Sequence, residues 1–409
     1  MPTHTHTRTL VQPYMGTRIK RLGLLVLGVF VVLHLLHLSG QTASQPLQKP
    51  PTSLRRRLNK QFACPHHEPI PRRVWQSWKN KSNLDKEFEH NVETWSSAPD
   101  YQHHLLDDAE VSEFVKHRYA AIPEVVEAFE RLPRKVLKAD FFRYLVILAE
   151  GGTYADIDTS LTTPMDEWLR DGQLADLMDR ANVPPSGIAA VIGVEDECDC
   201  WGWRGIFTRR LQFCQWSFQA KRGHPLFVDL VAKITELTLH NYNPHTQLLT
   251  FPTGYKGMPN MAPVYNMSQG SDSWYHGVLE WTGPGAFTDS VFKYLNDLYL
   301  DQFTEIGPQG TSDMAVCRGK SCLLDPNKPL DLVASLQNPP PLNDNLLGRR
   351  LPDQPVGWEN FTLIQEPLLF GDVAILPKAY FNSKYAQEPG TKNYVHHGFK
   401  GTWKWLPDT

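Results

Sequence analysis

Apolar positions along this chain fall into two rhythms. From Ile70 through Trp75 they alternate after a proline, which predicts a strand at the start of a globular body. Ile188 to Val194 (IAAVIGV) is short, apolar and strand-like, and Val373 to Leu376 predicts a late strand stopped by Pro377. Helical spacing runs through Val111 to Phe129, Val136 to Ala149 and Phe227 to Leu239, with Pro133 separating the first two. Gly223-His224-Pro225 introduces the third. Strands alternating with helices predict an α/β body with helices packed around a mixed central sheet. No internal repeat is present, and Pro339 to Pro355 reads as a surface loop.

The N-terminal pattern differs. Leu22 to Leu38 (LGLLVLGVFVVLHLLHL) contains no formally charged residue. A helix of that length spans about 25 Å, slightly short of a typical ~30 Å hydrocarbon core but tolerable in thinner early-secretory membranes. Arg8, Arg18, Lys20 and Arg21 precede it, whereas Lys49 is the first basic residue afterwards. That asymmetry favours a cytosolic tail over residues 1–21, a signal-anchor over 22–38 and a luminal remainder. A cleavable signal peptide, with a weak site at Leu38-Ser39-Gly40, is the competing reading. Residues 39–69 are rich in Gln, Pro, Ser and basic residues, which suits an extended stem, leaving 70–409 as the body. Sequons at Asn80, Asn266 and Asn360 are candidate glycosylation sites in keeping with a lumen.

Composition adds exclusions. With 41% hydrophobic and 21% charged residues the chain is ordinary globular protein, and a formal charge of -3 gives no footprint for nucleic acid. Twelve tryptophans and 14 tyrosines are potential sugar platforms, although most rings in any protein fill core space. Six cysteines do not make a disulfide scaffold. Cys317 and Cys322 bracket a short loop and suit a local disulfide, while Cys198, Cys200 and Cys214 lack the CxxC spacing of a zinc site.

Candidate chemistry concentrates in Lys138 to Leu161 (KADFFRYLVILAEGGTYADIDTSL). Asp140 and Arg143 lie three apart and project from one side of a helix, which Gly151-Gly152 then ends. Asp156-Ile157-Asp158 follows. In an extended stretch both carboxylates point the same way, so both can meet one divalent cation. Hard oxygen ligands suit Mg²⁺ or Mn²⁺, and such an ion offsets charge building on a departing diphosphate. Taken alone, two aspartates two apart read as a solvated turn. A phosphatase-type DxDx[TV] nucleophile motif is a rival, but Gly-Gly-Thr-Tyr replaces the apolar strand it needs, and Gly371-Asp372 is not followed by its second acidic pair.

The surrounding pattern, A-D-x-x-R-Y-x-x-L-x-x-x-G-G-x-Y-x-D-x-D, resembles the sugar-binding region of family 32 glycosyltransferases. Ile70 to Lys79 resembles that family's opening strand. Further blocks are similar to its fungal α-1,6-mannosyltransferase branch: Arg209 to Trp216, Lys221 to Pro225, Trp281 to Asp289, Gly371 to Pro377 and His396 to Lys404. They run in order from about residue 70 to 404.

This resemblance implies a GT-A fold and a retaining α-mannosyltransferase moving mannose from GDP-mannose, initiating α-1,6 extension on an N-glycan core. It implies a Golgi type II membrane protein with a luminal catalytic domain, and leaves open a complex with other glycosyltransferases. Asp158 and Asp156 are then the catalytic, metal-binding carboxylates for Mn²⁺ (or Mg²⁺), and His397 a third ligand or diphosphate contact. His396 is a rival imidazole. Val74, Gln76, Asp140, Arg143, Tyr154 and Asp156 would border the donor. Gln212, Gly283, Gly285, Asp289 and Trp403 would approach the acceptor or sugar pocket. On the residues alone, Gly283-Pro284-Gly285 also reads as a tight turn between a strand ending at Trp281 and a helix starting near Thr288, with Asp289 as a helix-dipole charge. An inositol phosphoceramide or O-glycan acceptor, and a non-catalytic glycan-binding subunit, are the alternatives. Intact Asp156, Asp158 and His397 argue against the last.

Overall fold

The alternating run after Pro71 becomes strand β1 (Arg73–Ser77), whose side chains divide between two buried faces. Val74 enters one apolar cluster and Trp75 the other. The computed structural model of the chain describes residues 53–65, 67–170, 172–197, 207–243, 248–249, 273–301, 356–381 and 392–401. All belong to one unit, residues 53–409. The anticipated tail and anchor lie outside the described residues, as do Asn266, Trp403, Cys198, Cys200, Cys317, Cys322 and the proline-rich loop.

Helix α1 (Leu54–Gln61) corrects the expected extent of the stem. Leu54, Leu58 and Phe62 are buried in the main core, and Arg55 Nε donates to Asp229 Oδ1 at 2.8 Å. The packed body therefore extends back at least to Leu54, ahead of residue 70. Polar composition concealed this helix, because only its few apolar residues face inward while Arg55 and Arg57 pair with acidic partners.

Helix α2 (Lys86–Ser96) and strand β2 (Gln102–Leu106) follow, then α3 (Asp108–Arg118) and α4 (Pro123–Arg131). The single helical period expected from Val111 to Phe129 is thus broken. Tyr119 ends α3, Ile122 leaves the helical conformation (φ -133°, ψ 70°), and Pro123 starts α4, a position where its missing N–H costs nothing. Helix α5 (Lys135–Glu150) is buried without interruption from Asp140 to Glu150, as expected for a helix apolar on most sides. Strands β3 (Gly152–Ala155), β4 (Thr159–Leu161), β5 (Ala190–Glu197) and β6 (Leu211–Ala220) come next, with α6 (Gly172–Arg180) before β5 and α7 (Pro225–Asn241) after β6. The segment expected to end as a strand at Trp281 is instead helix α8 (Ser273–Trp281), which abuts α9 (Pro284–Asp301). Strands β7 (Leu368–Phe370), β8 (Val373–Leu376) and β9 (Val395–His397) lie near the C-terminal end of the described residues.

Seven strands form a mixed sheet ordered β2-β1-β3-β6-β5-β8-β7. Pairs β1/β2, β1/β3 and β5/β8 are parallel; β3/β6, β5/β6 and β7/β8 are antiparallel. Period-2 alternation sorts side chains between the two faces. Ala190, Ile192, Val373 and Ile375 join the cluster under α5, α7 and α9, while Val191, Ala374 and Leu376 join Trp95, Trp168 and Phe381. Burial on both faces is why the central strands read as continuous apolar runs.

Two glycines turn α5 into β3. Gly151 (φ 66°) caps the helix, and Gly152 (φ 105°) opens the strand against β1. A Cβ on Gly152 would lie 2.5 Å from the Arg73 carbonyl oxygen in a backbone region that L-residues avoid. Gly152→Ala is therefore expected to lose about 1–3 kcal/mol of stability. Urea unfolding of the variant beside wild type checks this, and unchanged stability would contradict the stated strain.

Candidate active site

Strand β3 delivers the chain to Asp156, whose N–H donates to the Trp216 carbonyl at 2.8 Å. The Thr159 N–H and hydroxyl both donate back to the Asp156 carbonyl, at 3.1 and 2.6 Å. Asp156-Ile157-Asp158 is therefore a tight turn, correcting the expectation of an extended stretch. Its carboxylates converge because the backbone reverses, not because the pleat alternates. The loop is braced from outside: Asn91 Nδ2 donates to the Ile157 carbonyl at 3.2 Å and Trp95 Nε1 to the Thr159 carbonyl at 3.0 Å. Gln76 Nε2 reaches the Asp156 carbonyl at 3.2 Å, while Gln76 Oε1 lies 2.8 Å from His103 Nε2. With the Gln76 amide spent as a donor, His103 must donate through Nε2. Burial, with His104 nearby, pushes its pKa down to about 4, so the ring is neutral at physiological pH.

The distant tail closes over this turn. Strand β9 pairs antiparallel with β4, setting His397 opposite Thr159. Alternation leaves His396 exposed and turns His397 inward, with its Nε2 3.2 Å from Asp158 Oδ1. Its ring stacks on Trp216 at 4.4 Å between centroids. Beyond it, the Gly398 N–H donates to the Asp158 carbonyl at 2.8 Å and the Lys400 N–H to Asp158 Oδ2 at 3.1 Å. Burial opposes charge on Asp158, but His397 and the backbone N–H groups of Lys400 and of Asp158 itself outweigh it and hold its pKa below the usual value.

One ligand atom from each of Asp156, Asp158 and His397 lies within 4.8 Å of the other two. Two carboxylates and an imidazole suit Mn²⁺ or Mg²⁺, and the buried His397 Nδ1 has no hydrogen-bond partner among the described residues. These residues fit a divalent cation.

Behind the turn sits a buried charge cluster. Arg143 Nη2 lies 2.7 Å from Asp140 Oδ1 and 3.3 Å from Asp156 Oδ1, and its Nη1 donates to the Gln215 carbonyl at 3.2 Å. The guanidinium also lies over the Tyr154 ring, and the Tyr154 hydroxyl donates to Asp156 Oδ1 at 3.0 Å. Burial pushes Asp140 up to about 6 despite Arg143, while Thr282 Oγ1 donates to its Oδ2 at 3.1 Å. Burial raises Asp156 as well, with Arg143 opposing the rise. Desolvation alone would lower Arg143, but Asp156 and Asp140 hold it well above its ordinary value, so it stays cationic.

Other expected site residues are placed differently. Val74 is fully buried in the core, so its side chain offers nothing to a ligand. Gly283 and Gly285 let α8 and α9 meet closely: a Cβ on Gly283 would lie 2.7 Å from the Leu279 Cα, and one on Gly285 3.0 Å from the Leu279 carbonyl oxygen. Asp289 is not a lone dipole charge. It accepts from Arg209 Nε at 2.7 Å, and that guanidinium also grips Glu280. Gln212 lies in the core beside the site, where its Nε2 donates to Glu195 Oε2 at 2.7 Å. Asn80 is exposed, whereas Asn360 Oδ1 accepts the Gly357 N–H at 2.9 Å.

Sequence reasoning missed Glu195. Its carboxylate also accepts from Trp216 Nε1 at 3.1 Å, so it braces the ring on which His397 stacks, and burial raises its pKa. Its position at the end of a central strand was the available signal, but Val194-Glu195-Asp196-Glu197 reads as a solvated acidic run.

Residues 85–175 match the family model described as a glycosyltransferase sugar-binding region containing the DXD motif. The chain is 31% identical over 363 residues to the initiation-specific α-1,6-mannosyltransferase of Candida albicans, covering 86% of this chain and 77% of that protein. It is 30% identical over 399 residues to the Saccharomyces cerevisiae protein of the same description, covering 86% and 82%. Similarity to inositol phosphoceramide mannosyltransferase 3 of Schizosaccharomyces pombe is 20% over 214 residues, covering 51% and 49%.

Proposed function

Because this chain belongs to the glycosyltransferase family that carries the DXD sugar-binding region, we propose that it transfers mannose from GDP-mannose, with retention, to an N-glycan core, starting an α-1,6 branch. The observation that carries the reading is the meeting of Asp156, Asp158 and His397 in front of the buried Asp140–Arg143 pair. A divalent cation bound there, Mn²⁺ in this proposal, offsets charge that builds on the diphosphate as the glycosidic bond breaks.

The chain's own residues prepare the place for that charge. Arg143 supplies a fixed cation from the rear, where a low dielectric strengthens its field. Tyr154 and Gln76 fix the Asp156 carboxylate and carbonyl, and the His397–Trp216–Glu195 stack fixes the imidazole. Transfer with retention proceeds in this proposal on one face of the sugar: the acceptor oxygen bonds to the anomeric carbon as the phosphate oxygen leaves and takes the acceptor proton. Two successive displacements would instead need a carboxylate below the anomeric carbon, and no residue is assigned that role. The GT-A type of nucleotide-sugar fold and a luminal, Golgi-membrane setting anchored through residues 22–38 belong to the same proposal.

Relatives matched across most of both chains carry the initiation-specific description, whereas the ceramide-directed relative is matched over about half of each; this favours the glycan acceptor. The test is a donor and acceptor panel. Full-length protein with Mn²⁺ should add mannose from GDP-mannose, and not UDP-sugars, to a high-mannose N-glycan in preference to inositol phosphoceramide, and EDTA should stop it. Preference for the ceramide acceptor would move the enzyme to the other branch of the family.

A further inference from the structure

The acidic run at the end of β5 divides by partner. Asp196 pairs with Lys378, and Glu197 Oε2 accepts the Leu363 N–H at 2.6 Å. Glu195 has no ion pair among the described residues. Its half-buried carboxylate accepts from neutral donors, Gln212 Nε2 at 2.7 Å and Trp216 Nε1 at 3.1 Å. Each oxygen keeps a lone pair beyond those bonds. Taking a carboxylate out of water without a cation is costly, and such groups concentrate at functional sites. The strand ladder gives way at the same place. β5 and β6 pair Ile192 with Phe218, then Val194 with Phe213, then Asp196 with Gln212, so the register shifts on both sides of Val194. Bulges of this kind re-aim side chains beside active sites.

Sheet topology says what lies beside Glu195. Strands β1, β3 and β5 run in one direction, since β1 is parallel to β3 and β6 is antiparallel to both β3 and β5. Their carboxyl ends therefore share one edge, which carries Asp156 just past β3 and Glu195 near the end of β5. The order β2-β1-β3 makes a topological switch point at β1 and β3, where open sheets of this kind take nucleotides. With a diphosphate at the Asp156–Asp158–His397 cluster and its nucleoside over the parallel β1–β2 pair, the donor's sugar falls on the opposite flank, toward β6 and β5. Glu195 offers its carboxylate on that flank, and it holds the Trp216 ring on which His397 stacks. We infer that Glu195 is a specificity-determining residue of the donor subsite, accepting a hydroxyl of the transferred hexose. The assignment rests on the transferase reading above. Gln212 aims the carboxylate: its Oε1 accepts the Thr208 hydroxyl at 2.8 Å, which turns its amide N–H to Glu195.

The rival is that Glu195 only braces Trp216, and Glu195→Gln separates the two. A glutamine there still accepts from Trp216, and the Gln212 amide can turn over while the Thr208 hydroxyl reverses, so a brace survives. The charged acceptor does not. Losing one hydrogen bond to a charged group predicts that Glu195→Gln binds GDP-mannose about 10–100-fold more weakly. Isothermal titration of full-length protein with Mn²⁺ present measures this. GDP, which has no hexose, should bind as it does to wild type, and Mn²⁺ affinity should not change. On wild type, among GDP-mannose analogues that each lack one hydroxyl, one should bind about 10-fold more weakly or worse, and Glu195→Gln should erase that difference. Equal losses for GDP and GDP-mannose, no loss for either, or no penalised analogue on wild type would overturn the assignment. If wild type binds neither GDP nor GDP-mannose, the donor reading falls and takes the subsite with it. Tight wild-type binding that Glu195→Gln leaves untouched removes the subsite alone.

Discussion

Asp158→Asn is expected to lower mannosyl transfer by about 10²–10³-fold or more while leaving the fold intact, because it removes stabilisation needed only as the diphosphate departs. Asparagine keeps the size of the side chain and can still accept from the Lys400 N–H, so the tail remains docked. What it loses is the negative charge that a cation needs. That charge is also held ready, with His397 and the backbone donors keeping the carboxyl ionised against burial. Steady-state transfer assays at saturating Mn²⁺, with circular dichroism to confirm folding, check the prediction. Normal turnover would remove Asp158 from the site's chemistry.

The second large effect belongs to Arg143. Its guanidinium sits between Asp140 and Asp156 with only 6% of its side chain exposed. Arg143→Met keeps much of the stem but leaves the buried Asp140 and the partly buried Asp156 without their cation, which should cost about 3–5 kcal/mol of stability. The pH dependence has a definite sign. Asp140 already has its pKa raised to about 6 by burial, above its ordinary 3.8. A folded state that binds the proton more tightly is favoured at low pH, and loses that advantage as pH rises through the folded pKa. Without Arg143 the Asp140 carboxyl rises further, so the gap between variant and wild type should widen from pH 5 to pH 8 in urea unfolding. Adding Asp140→Asn should recover part of the loss, since one uncompensated charge disappears. A gap independent of pH would show that the pair is not electrostatically coupled.

Much of the donor side of this site is legible in a single segment of sequence. Asp140 and Arg143 are neighbours by helical spacing, the two glycines mark the end of their helix, and Asp156 and Asp158 follow at once. Strand β8 is equally legible, since a buried central strand must be apolar at every position and Pro377 stops it. Legibility fails where one residue's role depends on a remote partner. Helix α1 looks like polar stem because Arg55 and Arg57 meet Asp229, Glu236 and Glu124 far along the chain. The α3–α4 break hides inside a continuous apolar period, because Tyr119 and Ile122 are buried whether or not the helix continues. Gly283, Gly285 and Asp289 carry the residue types of a binding loop, yet close helix packing and the Arg209 clamp account for all three. Glu195 becomes visible only once β5 and the tail are seen to flank Trp216.

The central claim is that the Asp156–Asp158 turn and His397, separated by most of the body's length, form one metal site. Titrating Mn²⁺ into full-length protein with GDP present, and following the free-ion signal by electron paramagnetic resonance, tests it directly. Losing an outer partner of a metal ligand typically costs about 10–100-fold in affinity, so losing a ligand should cost at least that. Wild type should therefore bind Mn²⁺, with His397→Ala and Asp158→Asn each weakened by that margin or more. Wild-type affinity in His397→Ala, or no binding by wild type, would contradict the account.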